Sequence, residues 1–284
     1  MNIKPWARMP NTWIRNGTIL KFNWVADGSS GTAALILFYA LCQYATERLA
    51  KPIQGKQAAV STPLENLAIS NNDKNRILDI STSATVTPDM TSHAAPPWTL
   101  GKSTENYLRS SSEETVVGAM VARLTYEDFI QITGLSKKLI SLGLQKLLER
   151  KLIRRIDGAG SYEIYGLGSG EQWSKLPGLE LLTPAKTSFA PFSNFFMRGR
   201  HELNAMKLYF YYASTRDRDN AFSTPAFPTI LSKTGVPERE IPKANSFLLT
   251  SGLLYRTRSM EKDDTKPHEA NHYYLTGYKS FFKK

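Results

Sequence analysis

Ser136, Lys137, Lys138, Ser141, Gln145 and Lys146 crowd a short stretch, and Arg154 and Arg155 follow closely. Lysine and arginine neutralise phosphate. A serine at a helix start, beside free backbone N–H groups, can hold a phosphate oxygen. Glutamine reaches base edges or backbone from further along a helix. These residues suit the capture of a polyanion rather than the making or breaking of bonds. A second set, Arg239, Lys243, Arg256 and Arg258, stands near the end of the sequence. Glu238 and Glu240 share that stretch and would repel phosphate.

Two other spellings point to chemistry that their surroundings do not support. His268-Glu269-Ala270-Asn271-His272 has the two-histidine zinc spacing, but it follows Pro267 and runs into the alternating Tyr273-Tyr274-Leu275. No His, Asp or Glu follows His272 to serve as a third ligand. Gly101-Lys102-Ser103-Thr104 echoes the end of a phosphate-binding loop, but Pro96 stands where the first glycine should be. There is no nucleophile elbow and no dinucleotide fingerprint. The expectation is a protein without catalysis, metal or cofactor.

Composition agrees with a polyanionic partner. The 284 residues carry a formal net charge of +11. Residues 51–118 sum to −1, so the remaining chain carries +12, concentrated on the parts that pattern as folded. The single cysteine, Cys42, sits in an apolar run and reads as a buried small hydrophobe in a reducing compartment. That run, Ala33 to Cys42, is shorter than the ~20 residues of a membrane span. With no secretory segment read at Trp6-Ala-Arg-Met-Pro10, a cytoplasmic, nucleoid- or plasmid-associated protein is expected.

The elements that must position the first basic set run from Leu124 to Leu167. Leu124 and Thr125 open a short helix carrying Phe129, Ile130 and Ile132, and Gly134 supplies a tight turn. Ser136 is a good N-cap for the next helix, whose Ile140, Gly143, Leu144, Leu147 and Leu148 make one apolar stripe. Leu139 and Leu142 fall on the opposite face, where they either meet thymine methyls or are covered by another part of the protein. The period then drops toward two, with Leu152–Ile156 and Tyr162–Leu167 flanking Asp157-Gly158-Ala159-Gly160.

Thr133-Gly134-Leu135-Ser136, a basic helix and then Leu152-Ile153 resemble the helix-turn-helix and first wing strand of winged-helix DNA-binding proteins. The resemblance spans about 45 residues. It implies that the helix from Ser136 enters a major groove and that Arg154, Arg155 and the 158–160 tip track the backbone. Pro10-Asn11-x-Trp13-Ile14-Arg15 looks like the lead-in of plasmid and phage replication initiators, which packs beside the first helix of a winged helix.

The second half repeats the first. Placing Thr133-Gly134 over Thr234-Gly235, an offset of 101 residues, aligns Ile140 with Ile241, Leu147-Leu148 with Leu248-Leu249 and Leu152-Ile153 with Leu253-Leu254, without a gap. The fold expected is mainly α with small β-hairpin wings, as two winged helix-turn-helix domains in tandem. Residues 1–167 hold the first, with helix 1 at Ala33 to about Ala50 capped by Thr32, and a polar insertion at about 51–118. A helix 1 within Glu105 to Val121 is the alternative. Residues 168–201 form a connector whose Phe189, Phe192, Phe195 and Phe196 read as a hydrophobic strap. Residues 202–284 hold the second, with helices at Glu202–Thr215, Pro225–Lys233 and from Pro237 or Ile241, where Pro242 would kink an interior turn.

The expected partner is double-stranded DNA, with self-association or replication proteins as further partners and no membrane. The expected role is sequence-specific binding as a plasmid- or phage-type replication initiator. A winged-helix transcriptional regulator and a winged-helix protein-interaction module are the alternatives.

Overall fold

A computed structural model describes residues 3–48, 119–156, 160–168, 170–217, 219–258 and 271–282. Helices dominate, with small antiparallel sheets. Residues 1–50 and 117–284 make one compact unit. The polar insertion, residues 157–159 of the loop expected as a wing, and most of the His268–His272 motif lie outside the described residues.

Strand β1 (Trp6–Pro10) leads through α1 (Thr12–Arg15) and α2 (Trp24–Asp27) to the long helix α3 (Ser29–Tyr44). Every residue of α3 from Ser30 to Gln43 is buried, as expected of a helix packed on all sides. Its bounds differ from the expected Ala33–Ala50. Thr32 is no cap; it is fully buried inside the helix. The chain breaks from α2 at Gly28, and Ser30 Oγ donates to the Asp27 carbonyl at 2.6 Å, so helix starts earlier. At the other end Ala45 turns extended and β2 (Thr46–Arg48) pairs with β3 (Ala119–Arg123). Sheet pairing overrides a stretch whose local pattern continues the helix.

Beyond β3 come α4 (Tyr126–Thr133), α5 (Lys137–Glu149), β4 (Ile153–Arg155) and β5 (Ser161–Ile164). The sheet order is β2-β3-β5-β4, all antiparallel. Thr125 and Asp128 form a reciprocal capping box on α4. The apolar stripe Ile140, Gly143, Leu144 and Leu147 is buried, with Gly143 against α3. A Cβ on Gly143 would meet Leu37 Cδ1 at 2.7 Å and the Ala34 nitrogen at 3.0 Å, so glycine is what lets the two helices approach.

The region expected as a plain connector contains a strand. β6 (Trp173–Pro177) pairs antiparallel with β1, with Arg8 opposite Lys175. Past it, Phe189, Phe192 and Phe195 are buried, whereas Phe196 is 71% exposed. Phe189 and Phe192 pack edge-on against Tyr39 of α3, and Phe195 meets Phe247 of the second half at 4.8 Å. This segment joins the two halves through a shared core.

The second half holds α6 (Arg200–Thr215), α7 (Phe227–Thr234), a 3-10 turn (Glu238–Glu240), α8 (Ile241–Ser251), β7 (Leu254–Arg258) and β8 (His272–Leu275). Pro242 sits in the first turn of α8, not in its interior. There its missing N–H costs nothing, so no kink results.

The repeat is visible bond by bond. Thr133 Oγ1 donates to the Phe129 carbonyl and accepts from the Leu135 N–H; Thr234 Oγ1 does the same with Ile230 and Val236. Gly134 and Gly235 both take left-handed backbone, φ 72° and 69°, to end α4 and α7. The Leu152 N–H donates to the Leu147 carbonyl, and the Leu253 N–H to the Leu248 carbonyl. The Ala122–Tyr162 pairing recurs as a single bridge between Ser223 and Tyr273. When α3 is laid over α6, Phe38 corresponds to Tyr209 and Tyr39 to Phe210. Phe38 meets Phe210 at 5.9 Å and Tyr39 meets Tyr209 at 6.1 Å, the reciprocal contacts of an approximate two-fold. Trp13 caps this seam, edge-on to both Phe38 and Phe210.

Candidate nucleic-acid interface

The outer side of α5 carries Lys138, Ser141, Leu142 and Gln145 at helical spacing, all exposed, opposite the stripe that packs on α3. Ser136 caps the helix and accepts the Leu139 N–H at 3.4 Å, leaving its hydroxyl exposed beside the N-terminal N–H groups. Lys137 stands 71% exposed and 3.5 Å from the equally exposed Glu127. Such a pair contributes little and breaks easily in favour of a phosphate. Among the described residues, Lys138 has no ion-pair partner. The two apolar residues separate: Leu139 packs partly against the core, and Leu142 remains 38% exposed on the outer face.

Further along, the predicted residues are more engaged. Gln145 donates to Glu149 at 2.9 Å. Lys146 turns inward, 3.2 Å from Glu149 and 3.6 Å from Asp27, and does not belong with the outward set. On β4 Arg154 is bonded to Glu163, which raises its already high pKa. Arg155 is exposed with its guanidinium 5.9 Å over the Tyr162 ring. The exposed groups are thus Ser136, Lys137, Lys138 and Ser141 at the start of α5, and Arg155 on β4 beside an Arg154 held by Glu163.

The second copy presents different chemistry on the same frame. Arg239 and Lys243 are exposed at the start of the corresponding helix, beside an exposed Glu238. Glu240 is tied to Arg200 and Asn204 of α6. Arg256 lies exposed 4.6 Å over the Tyr274 ring, and Arg258 pairs through its backbone with His272.

Behind the first face lies a charge cluster that sequence reasoning misses. The Asp27 carboxylate, 2% exposed, binds Arg150 and accepts the Asn23 N–H at 3.1 Å. Arg150 also donates to the Lys21 carbonyl at 3.0 Å and covers the Phe22 ring at 3.9 Å. From the other half Lys207, itself buried, donates to the Phe22 carbonyl at 2.9 Å. Burial lowers its pKa to about 8, and nearby Arg150 pushes the same way. The cluster pins the end of α5 to α2 and to α6. A lysine inside the apolar run Ala205–Ala213 is its one visible signal.

Comparison with known proteins finds no match: no family model, no curated protein and no solved structure resembles the chain. Among the described residues no group of three His, Cys, Asp or Glu side chains could hold a metal ion, and no helix is long and apolar enough to cross a membrane. Cys42 is buried and free, and burial raises its thiol pKa.

Proposed function

We propose that both repeats are winged helices and that the chain binds double-stranded DNA sequence-specifically, with the first repeat as the principal reader. One observation carries this reading. α5 buries a full apolar stripe against α3 while its opposite stripe, from Ser136 through Lys138, Ser141 and Leu142, faces solvent. In a major groove Lys137 and Lys138 neutralise phosphates, Ser136 and the helix N-terminus hold one, and Ser141 and Leu142 face base edges, the leucine suiting a thymine methyl. Arg154 and Arg155 follow the backbone from the wing root. The second repeat, with Glu238 and Glu240 at the same place, contributes weaker backbone contacts through Arg239, Lys243, Arg256 and Arg258.

The biological role that fits best is a plasmid- or phage-type replication initiator recognising repeated origin sequences. The support is the tandem repeat, the charge, and the seat of Trp13 between the first helices of the two halves. A transcriptional regulator would use the same surface. Selection of bound sequences from random duplex, followed by footprinting of the parent genome, separates the two. Protection of clustered repeats at an origin supports the initiator; protection of promoters favours the regulator. No affinity for random duplex at low salt overturns both and leaves a protein-interaction module.

A further inference from the structure

The β1/β6 ribbon carries an aromatic–cationic surface that the duplex reading does not use. Trp6, Arg8 and Pro10 alternate on one face of β1, and Trp173, Lys175 and Pro177 on the matching face of β6. The Trp6 and Trp173 rings lie nearly parallel, 7° apart in plane and 5.7 Å between centroids. Arg8 sits 5.0 Å over Trp173 and Lys175 4.6 Å over Trp6. Cross-strand pairs of this kind stabilise a ribbon, but stability alone favours covering them, and Trp173 remains 39% exposed with Arg8 beside it in solvent.

A cleft of about 430 Å³ opens beside this ribbon, between β1 and the end of α3. Its wall includes Lys4, Trp6, Arg8, Gln43 and Glu47, so cations outnumber the acid there. Gln43 is buried, and its Nε2 donates to the Leu176 and Pro177 carbonyls at 3.3 and 2.6 Å. Its Oε1 is buried without a hydrogen-bond donor among the described residues.

We infer that this ribbon and cleft form a binding site for single-stranded nucleic acid. A base supplies a flat π-face for the exposed Trp173 indole. The phosphates on either side meet Arg8 and Lys4. A duplex hides base faces in its stack, so the surface selects an unpaired strand. The residues are separate from the α5 face, and the inference stands or falls apart from the duplex reading.

The test is fluorescence anisotropy of the full chain with a labelled single-stranded 12-mer and, separately, a labelled duplex. Strand binding is expected to quench tryptophan emission. Arg8→Glu and Trp173→Ala are each expected to weaken strand binding about ten-fold or more and to leave duplex binding unchanged. Lys137→Ala with Lys138→Ala should do the reverse. Arg8 is exposed, so Arg8→Glu keeps the test decisive if Trp173→Ala fails to fold. Absence of strand binding, or strand affinity unchanged in Arg8→Glu, overturns the inference. Strand binding that persists while the wild-type chain ignores duplex supports it and removes the duplex proposal instead.

Discussion

The two repeats share a skeleton and differ in what they attach to it. Thr133 and Thr234 make the same pair of hydrogen bonds, and Gly134 and Gly235 the same turn. Yet the helix after the turn opens with Ser136-Lys137-Lys138 in one and with Pro237-Glu238-Arg239-Glu240 in the other. The inner faces differ as well. Gly143 allows α5 to approach α3 closely, while Ala244 stands at the matching position of α8. A buried Ile36 in α3 is matched by the buried Lys207 in α6. The hydrogen bonds that set the turn are the same in both copies, whereas surface charge and helix spacing differ. The proposed division, one copy contacting DNA and the other supporting it, rests on that difference.

The largest expected break in this comparison is at the carboxylates. Asp27→Ala leaves Arg150 buried and unpaired near Lys207 and is expected to cost about 3–5 kcal/mol in chemical denaturation. Glu240→Ala removes a more exposed pair with Arg200 and a hydrogen bond from Asn204, and should cost about 1–2 kcal/mol. Equal losses would mean that the cluster does not anchor the first repeat. Next, Gly143→Ala is expected to destabilise by about 1–3 kcal/mol despite better helix propensity, because the added carbon meets the α3 backbone. Ala244→Gly should cost only about 1 kcal/mol, from propensity and a small lost contact. A stabilised Gly143→Ala protein would show that the helices do not pack this tightly. Thr133→Val and Thr234→Val should each lose about 1 kcal/mol, and a clear inequality in melting would break the equivalence of the two turns.

A further break is a pH dependence centred on Lys207 of the second repeat. Lys207 has a pKa of about 8 in the fold against an ordinary 10.5. Between those values the unfolded chain holds the extra proton, so stability rises with pH from about 8 toward 10. Above about 10 the buried Tyr39, Tyr209 and Tyr212, whose pKa values are raised by burial, act in the opposite direction. The urea midpoint of the wild-type chain should therefore rise relative to that of Lys207→Met between pH 7.5 and 9.5, because the buried Cys42 thiol, whose pKa is also raised, lowers both alike.

How much of this is legible in the sequence follows from the range of each interaction. The repeat is readable because helix, turn and helix are local and align without a gap from Ile140/Ile241 to Ile153/Leu254. The Ser136 cap and the turn glycines are readable for the same reason. The end of α3 is not, because its last turn yields to pairing with Val121, far along the chain. Pro242 looks like an interior kink only until a 3-10 turn shifts the start of α8 to Ile241. Lys146 groups with the outward lysines by sequence because nothing nearby announces Asp27. The β1/β6 ribbon escapes sequence reasoning altogether: Trp6 and Trp173 meet only when the chain folds back across its whole first half.

The central claim is that the first repeat grips duplex DNA through the start of α5. Its most direct test is the slope of log affinity against log salt for random duplex, measured for the wild-type chain and two double variants. Lys137→Ala with Lys138→Ala should weaken binding and flatten the slope by about 2, while Arg239→Ala with Lys243→Ala should change both much less. Affinity and slope left unchanged by the first pair, or lowered more by the second, would contradict the account.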